Sequence, residues 1–212
     1  MKVSPAKENI LKKIRQALSQ STPIPFPQSE GNHSVFQPAT QDPEIEFAEQ
    51  FTKLQGKFIF CMDHGELATQ LKALAAHNGW KKIYCREDKL KETLRANSFD
   101  EWSKVELKDC DAAVTTCELL IARTGSIVMS AAQDSGRTVS VYAPVHICVA
   151  YTDQLVYDIR EGLIALKERY QGQLPSLITF ATGPSRTADI EKTLVVGVHG
   201  PKEVYLFLVD RH

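Results

Sequence analysis

This sequence has no Cys-x-x-Cys pair. Its five cysteines, Cys61, Cys85, Cys110, Cys117 and Cys148, are odd in number and widely scattered, so zinc-ribbon and iron–sulfur spacings are missing. Most lie within or beside apolar runs, where a reduced cysteine serves as a small hydrophobe; Cys117 differs in bordering a candidate site. Also missing are Gly-x-Gly-x-x-Gly, the phosphate-binding Gly-x-x-x-x-Gly-Lys-Ser/Thr and His-Glu-x-x-His, which removes the familiar ways of holding NAD, ATP or catalytic zinc. The expectation is a chain with no cofactor or metal of its own. No apolar run approaches the roughly 20 residues that a spanning helix needs. Lys7, Glu8, Lys12, Lys13 and Arg15 interrupt the amino-terminal segment where a leader peptide would be apolar. There is no surplus of one charge: the formal net charge is −1, which argues against a broad nucleic-acid or membrane-binding face and is compatible with a local basic pocket. A cytoplasmic protein is expected, without nucleic acid and without a membrane span. No internal repeat occurs.

What is present suits one large globular domain. The 212 residues are 43% apolar and 24% charged, enough to bury a substantial core. Ser4-Pro5 opens a helix whose Ile10, Leu11, Ile14 and Leu18 form a narrow apolar stripe. From Gln20 to Asp42 four prolines and many Ser, Thr, Gln and Asn residues read as an extended linker. Residues 1–42 are therefore expected to be a helical arm and linker, and residues 43–212 the folded domain. Asp42-Pro43 starts a helix through Phe47, Phe51 and Leu54, followed by a strand at Lys57–Cys61. The Asp63/Glu66 capping pair opens the next helix and Asn78-Gly79 closes it. A strand at Lys82–Cys85 and a helix at Asp88–Ala96 continue the alternation that implies parallel pairing with helical crossovers.

Beyond Asp111 the pattern turns strand-rich. Short runs at Ala112–Thr115, Ser126–Met129, Thr138–Tyr142 and Val145–Tyr151 read as strands. Asp158/Glu161 opens a helix that Gly172 closes. Strands are expected at Leu177–Phe180, Leu194–Gly197 and Val204–Val209. The fold class is α/β, with a mixed, largely parallel sheet and flanking helices.

Ligands of such sheets bind beyond the carboxyl ends of the strands. That criterion selects Thr115-Thr116-Cys117-Glu118, Arg123-Thr124-Gly125-Ser126, Thr182–Asp189 and Gly197–Pro201. In the third, a Gly-Pro turn reads as leading from a strand into a helix start. There Gly183, Ser185, Arg186 and Thr187 would offer hydroxyls, unpaired amides and a guanidinium to an anion. The alternative is a Ser185-capped turn with Arg186 and Asp189 paired on the surface. His199 is either a base or donor to a carboxylate ligand, or a turn pin bonded to carbonyls. His146 either points into a cleft at its strand's start or is a satisfied core residue. Glu118 is either a general base or nucleophile, or the acid of a short helix start. The candidate set is Glu118, His199 and Asp189 for catalysis, and Thr116, Thr124, Gly183, Ser185, Arg186, Thr187 and His146 for ligand binding.

Asp111–Cys117, Ile121–Ser126, Pro144–Ile147, the Thr182–Glu191 motif TGPSRTADIE and the Gly197–Pro201 motif GVHGP together resemble the LUD family, in order and spacing, over residues 43 to 210. The resemblance implies a fold similar to the NagB, ribose-5-phosphate isomerase and CoA-transferase superfamily. It also implies a place in a three-protein system oxidising L-lactate to pyruvate, in which partner subunits carry the iron–sulfur clusters. Because no motif in this chain holds an electron acceptor, the chain is expected to be inactive alone. One position departs from the family pattern: Arg123 stands where an acidic residue usually precedes Thr-Gly, so no acid/base role carries over. Two other readings stay open. One is an independent enzyme on a phosphorylated or CoA-linked substrate with Glu118 as nucleophile; the other is a scaffold with the amino-terminal helix as docking arm.

Overall fold

In the structure, a computed structural model, residues 5–19, 38–39, 41–190, 193–197 and 200–211 are described. The chain divides into two compact units, residues 1–38 and 39–212. The first contains α1 (Pro5–Leu18). The second runs α2 (Pro43–Lys53), β1 (Lys57–Cys61), α3 (His64–Asn78), β2 (Ile83–Tyr84), α4 (Asp88–Ala96), β3 (Ala112–Thr116), β4 (Leu119–Ile121) and β5 (Ser126–Ser130). It continues with α5 (Val139–Tyr142), β6 (Val145–Tyr151), β7 (Leu155–Val156), α6 (Ile159–Arg169), β8 (Ile178–Ala181), β9 (Arg186–Ile190), β10 (Thr193–Val196) and β11 (Glu203–Val209).

Local chemistry sets many of these boundaries. Asp63 caps α3 by accepting from Glu66 N at 2.8 Å, while Glu66 Oε2 accepts from Met62 N at 2.8 Å. Gly79, left-handed at φ 69°, closes that helix. Asp158 accepts from Arg160 N and caps α6 in the same way. Asp42 makes no side-chain cap bond, so Pro43, with its pre-set φ, is what favours the start of α2.

Five strands form a wholly parallel sheet in the order β1-β11-β6-β3-β2. Side chains alternate between its faces. On one face Val114, Ile147, Val149 and Phe207 pack against Leu67 and Leu71 of α3 and Leu90 and Leu94 of α4. On the other, Cys148, Ala150, Leu206 and Leu208 meet Phe47 and Phe51 of α2 and Leu120, Ile127 and Met129 of a second sheet. That second sheet is mixed, with order β7-β4-β5-β8, and β9 and β10 form a separate antiparallel pair. The α/β architecture with a mostly parallel sheet flanked by helices is as expected.

Three features differ from expectation. Thr138–Tyr142 is not a strand. Its amides turn back locally, with Val141 N and Tyr142 N both donating to Thr138 O, and Val139 is buried while Tyr142 is exposed. Second, the turn after β8 leads into a strand, β9, whose register with β10 pairs Arg186 with Val196 and Thr187 with Val195. The strand pairing removes the helix start on which the expected cluster of unpaired amides rested. Third, β4 and β7 were not foreseen, because three and two residues are too few to show an alternation.

Candidate functional site

The loops leaving β2 and β3 part at the carboxyl edge. The loop after β2 enters α4 on one face of the sheet, whereas β3 passes into β4 on the other. A split of this kind is where open α/β sheets form ligand crevices, and here it opens into a cavity of about 350 Å³ lined by Glu87, Lys89, Thr116, Glu118, Gln133 and Tyr170, among others.

Glu87 sits just before α4 and is 6% exposed. Its carboxylate reaches back over the end of β3. Both oxygens accept from Thr116 N at 3.0 Å, and Oε2 also accepts from the Thr116 hydroxyl at 2.6 Å. Burial pushes its carboxyl above the ordinary range, partly offset by hydrogen bonds from Thr116 and Ser135. Glu118 is 4% exposed. Its Oε1 accepts from the hydroxyls of Ser130 at 2.5 Å and Tyr170 at 2.6 Å, and its Oε2 from Arg169 Nη1 at 2.7 Å. Arg169 also donates to the Glu118 carbonyl at 3.0 Å, tying the end of α6 to this turn. Burial, and then the bond to Glu118, raise the Tyr170 hydroxyl above its ordinary value. Gln133 links the two acids: Oε1 accepts from Ser130 N at 2.9 Å, and Nε2 lies 3.4 Å from Thr116 Oγ1. Cys117 borders the cavity but is itself buried. Lys89 lines the cavity with no partner for its ammonium among the described residues.

The amino end of the sheet holds a second cavity of about 300 Å³, bordered by His146, Gly183, Ser185, Gly200 and Pro201. The two glycine–proline motifs do meet here. Ser185 N donates to Pro201 O and Gly197 N to Ser185 O, each at 2.9 Å. A Cβ on Gly200 would lie 2.6 Å from Ser185 Cβ, and one on Gly183, at φ 123°, would lie 2.7 Å from Leu54 O. His146 is 1% exposed, with Nε2 2.9 Å from Thr115 Oγ1. Burial lowers its pKa to about 4, leaving a neutral ring at physiological pH. Both readings of His146 therefore apply at once: a core residue that also borders a cleft.

The expected site residues fall into separate groups. Thr116 and Glu118 lie at the carboxyl-end cavity; His146, Gly183 and Ser185 lie at the amino-end cavity. Arg186 turns outward, its Nη2 donating to Leu54 O at 2.7 Å, where the end of α2 has spare carbonyls. Thr124 pairs with Ser126 at 2.7 Å. Its neighbour Arg123 braces Asp158 at 2.7 Å, which gives the departure from the family pattern a structural account. His199 and the side chains of Thr187 and Asp189 fall outside the described residues. Glu87, Lys89, Ser130, Gln133, Arg169 and Tyr170 were not anticipated. For Glu87 a signal existed, since it lies in the short connection between β2 and α4, at a strand's carboxyl end, as Thr116 does at the end of β3.

The fold belongs to a recognised class: the LUD domain matches residues 45–209, and the chain belongs to the LUD-domain family. Relatives named lactate utilization protein C include that of Geobacillus thermodenitrificans, 30% identical over 84% of this chain and 83% of its own length. That of Anoxybacillus flavithermus is 26% identical over 96% of this chain and all of its own length. That of Bacillus licheniformis is 28% identical over 97% of each. The crystal structure of a DUF162 family protein from Deinococcus radiodurans superposes with a TM-score of 0.59 at 21% identity, covering 79% of this chain and 96% of that one. That likeness supports the fold.

Proposed function

We propose that this chain serves in lactate utilization as one subunit of a system that oxidises L-lactate to pyruvate. Its cavity between Glu87, Thr116 and Glu118 holds a small carboxylate ligand, and iron–sulfur subunits carry the electrons away. The lactate assignment is supported by the near full-length similarity to proteins of that name. The assignment of the cavity is carried by Glu118, a buried carboxylate fixed by three side chains at the switch point of a parallel sheet.

Taking two electrons from lactate requires an acceptor. In this proposal the chain's own part is to bind and orient the acid, and the redox step belongs to its partners. The purified chain is therefore expected to leave lactate unchanged in the presence of an artificial electron acceptor. The decisive experiment is genetic. A deletion strain should fail to grow on L-lactate as sole carbon source, recover with the wild-type gene and not with Glu118→Gln. Normal growth of the deletion strain would overturn the lactate role, whereas full rescue by Glu118→Gln would overturn only the choice of cavity.

A further inference from the structure

The cavity at the amino end of the parallel sheet lies where the two sheets part. Val204 of β11 stands in register with His146 of β6, so both side chains leave the sheet on one face, and Val204 belongs to the core between the sheets. From the facing sheet Met129 and Ala181 enter the same core, and Thr179, in register with Met129, points the same way. All of these residues line the cavity of about 300 Å³.

His146 is 1% exposed, and its Nε2 is taken up by Thr115 Oγ1 at 2.9 Å. Its Nδ1 has no hydrogen-bond partner among the described residues. Sealed side-chain polar atoms without a partner do occur among those residues, at Glu46 Oε2 and Trp102 Nε1, and His146 Nδ1 is not one of them. The little of the ring that is open therefore includes Nδ1, which faces the cavity that the ring lines. Leaving such an atom unbonded is costly. A single water, at about 30 Å³, bonds the nitrogen but leaves most of the cavity and its apolar walls unfilled. Charge is missing as well. No charged side chain lines the cavity among the described residues, and burial keeps the imidazole neutral at physiological pH. An anion entering it would lose its water with no cation to meet it. A hydroxyl suits the site, because it can donate or accept and so satisfies either tautomer of the ring.

We propose that the amino-end cavity is a second ligand site, which takes a small uncharged alcohol or phenol whose hydroxyl bonds His146 Nδ1 while its apolar body lies between Met129 and Val204. Thr179 adds a hydroxyl from the opposite wall. The site does not depend on the carboxylate cavity at the other end of the sheet.

The test is calorimetric titration of the full-length protein with phenol, benzoate and toluene, with the imidazole ¹⁵N resonances followed by NMR. Phenol is expected to bind about tenfold or more tightly than benzoate, which carries a charge, and than toluene, which lacks the hydroxyl. It should also shift the His146 Nδ1 resonance. In His146→Leu phenol should bind no better than toluene. Thr179→Ile, a change at a half-buried strand position, fills the cavity from the facing wall and should weaken phenol about tenfold, which keeps the test available if His146→Leu fails to fold. Benzoate or toluene binding as tightly as phenol would overturn the class of ligand. Phenol binding that leaves His146 unshifted, or that is unchanged in Thr179→Ile, would overturn the location. No binding of phenol would overturn the site.

Discussion

The two ends of the parallel sheet bury polar groups in opposite ways. At the carboxyl end, Glu118 is enclosed with a guanidinium and two hydroxyls aimed at it. At the amino end, His146 is enclosed with one hydroxyl and, among the described residues, no opposing charge, and burial accounts for its lowered pKa. The first arrangement holds a carboxylate by supplying donors; the second keeps an imidazole neutral by withholding water. The motif-rich segments, with their glycines and prolines, lie at the amino end, where their contacts are close backbone approaches. The carboxyl end is assembled from single residues of separate elements.

The largest effect that would break this contrast is expected from Glu118→Ala. It strips the acceptor from Ser130, Tyr170 and Arg169 and should cost about 3 kcal/mol in urea unfolding, with Arg169 softening the loss because it is half exposed. L-Lactate binding should disappear in the same protein. Unaltered stability would show that the donors find other partners.

Acidification should separate the two ends by sign. With a folded pKa of about 4 against 6.5 when unfolded, the His146 site leaves the proton to the unfolded chain. Its share of stability is whole above about pH 6.5 and drains away toward pH 4, reaching about 3 kcal/mol. Glu87 has the opposite slope: its raised carboxyl binds a proton more readily when folded, so falling pH through its folded pKa adds stability. Unfolding free energies measured from neutral pH downward should flatten in His146→Leu and steepen in Glu87→Gln. Identical slopes in both variants would contradict the assignment.

Smaller changes sharpen the amino end. Gly183→Ala places a methyl against Leu54 O in a positive-φ conformation, at an expected cost of about 2 kcal/mol in thermal or urea unfolding. Arg186→Ala removes one exposed bond to Leu54 O and should change stability by about 0.5 kcal/mol. Its L-lactate affinity should match the wild type, because the guanidinium faces away from the carboxyl-end cavity. Loss of binding would return Arg186 to the ligand site.

Much of the frame was legible because its signals are local. Asp63, Glu66 and Gly79 mark the ends of α3 by their own hydrogen bonds and backbone, and the β1, α4 and β6 runs carry continuous patterns. The positional rule for strand ends also reached Thr116 and Glu118. What escaped is what depends on distant packing. Arg169 and Tyr170 lie at the end of α6, 51 and 52 residues from Glu118, and no spacing rule links them. The β9 strand escaped because Gly-Pro-Ser-Arg-Thr is a good helix-start sequence whose fate was decided by pairing with β10. Thr138–Tyr142 escaped for the opposite reason, since β-branched residues over so short a stretch cannot outweigh a local turn.

The position of β11 has a consequence for how the molecule assembles. Among the described residues β1 pairs with β11 alone, and the side chains of Lys57 and Glu203, joined across that seam, are 146 residues apart in the chain. The earliest strand of the sheet must wait for the latest one before any of its edge is satisfied, and closing so long a loop is slow. During that wait Phe58 and Ile59 have no neighbouring strand beside them, which makes β1 the segment most in need of protection while the protein is being made.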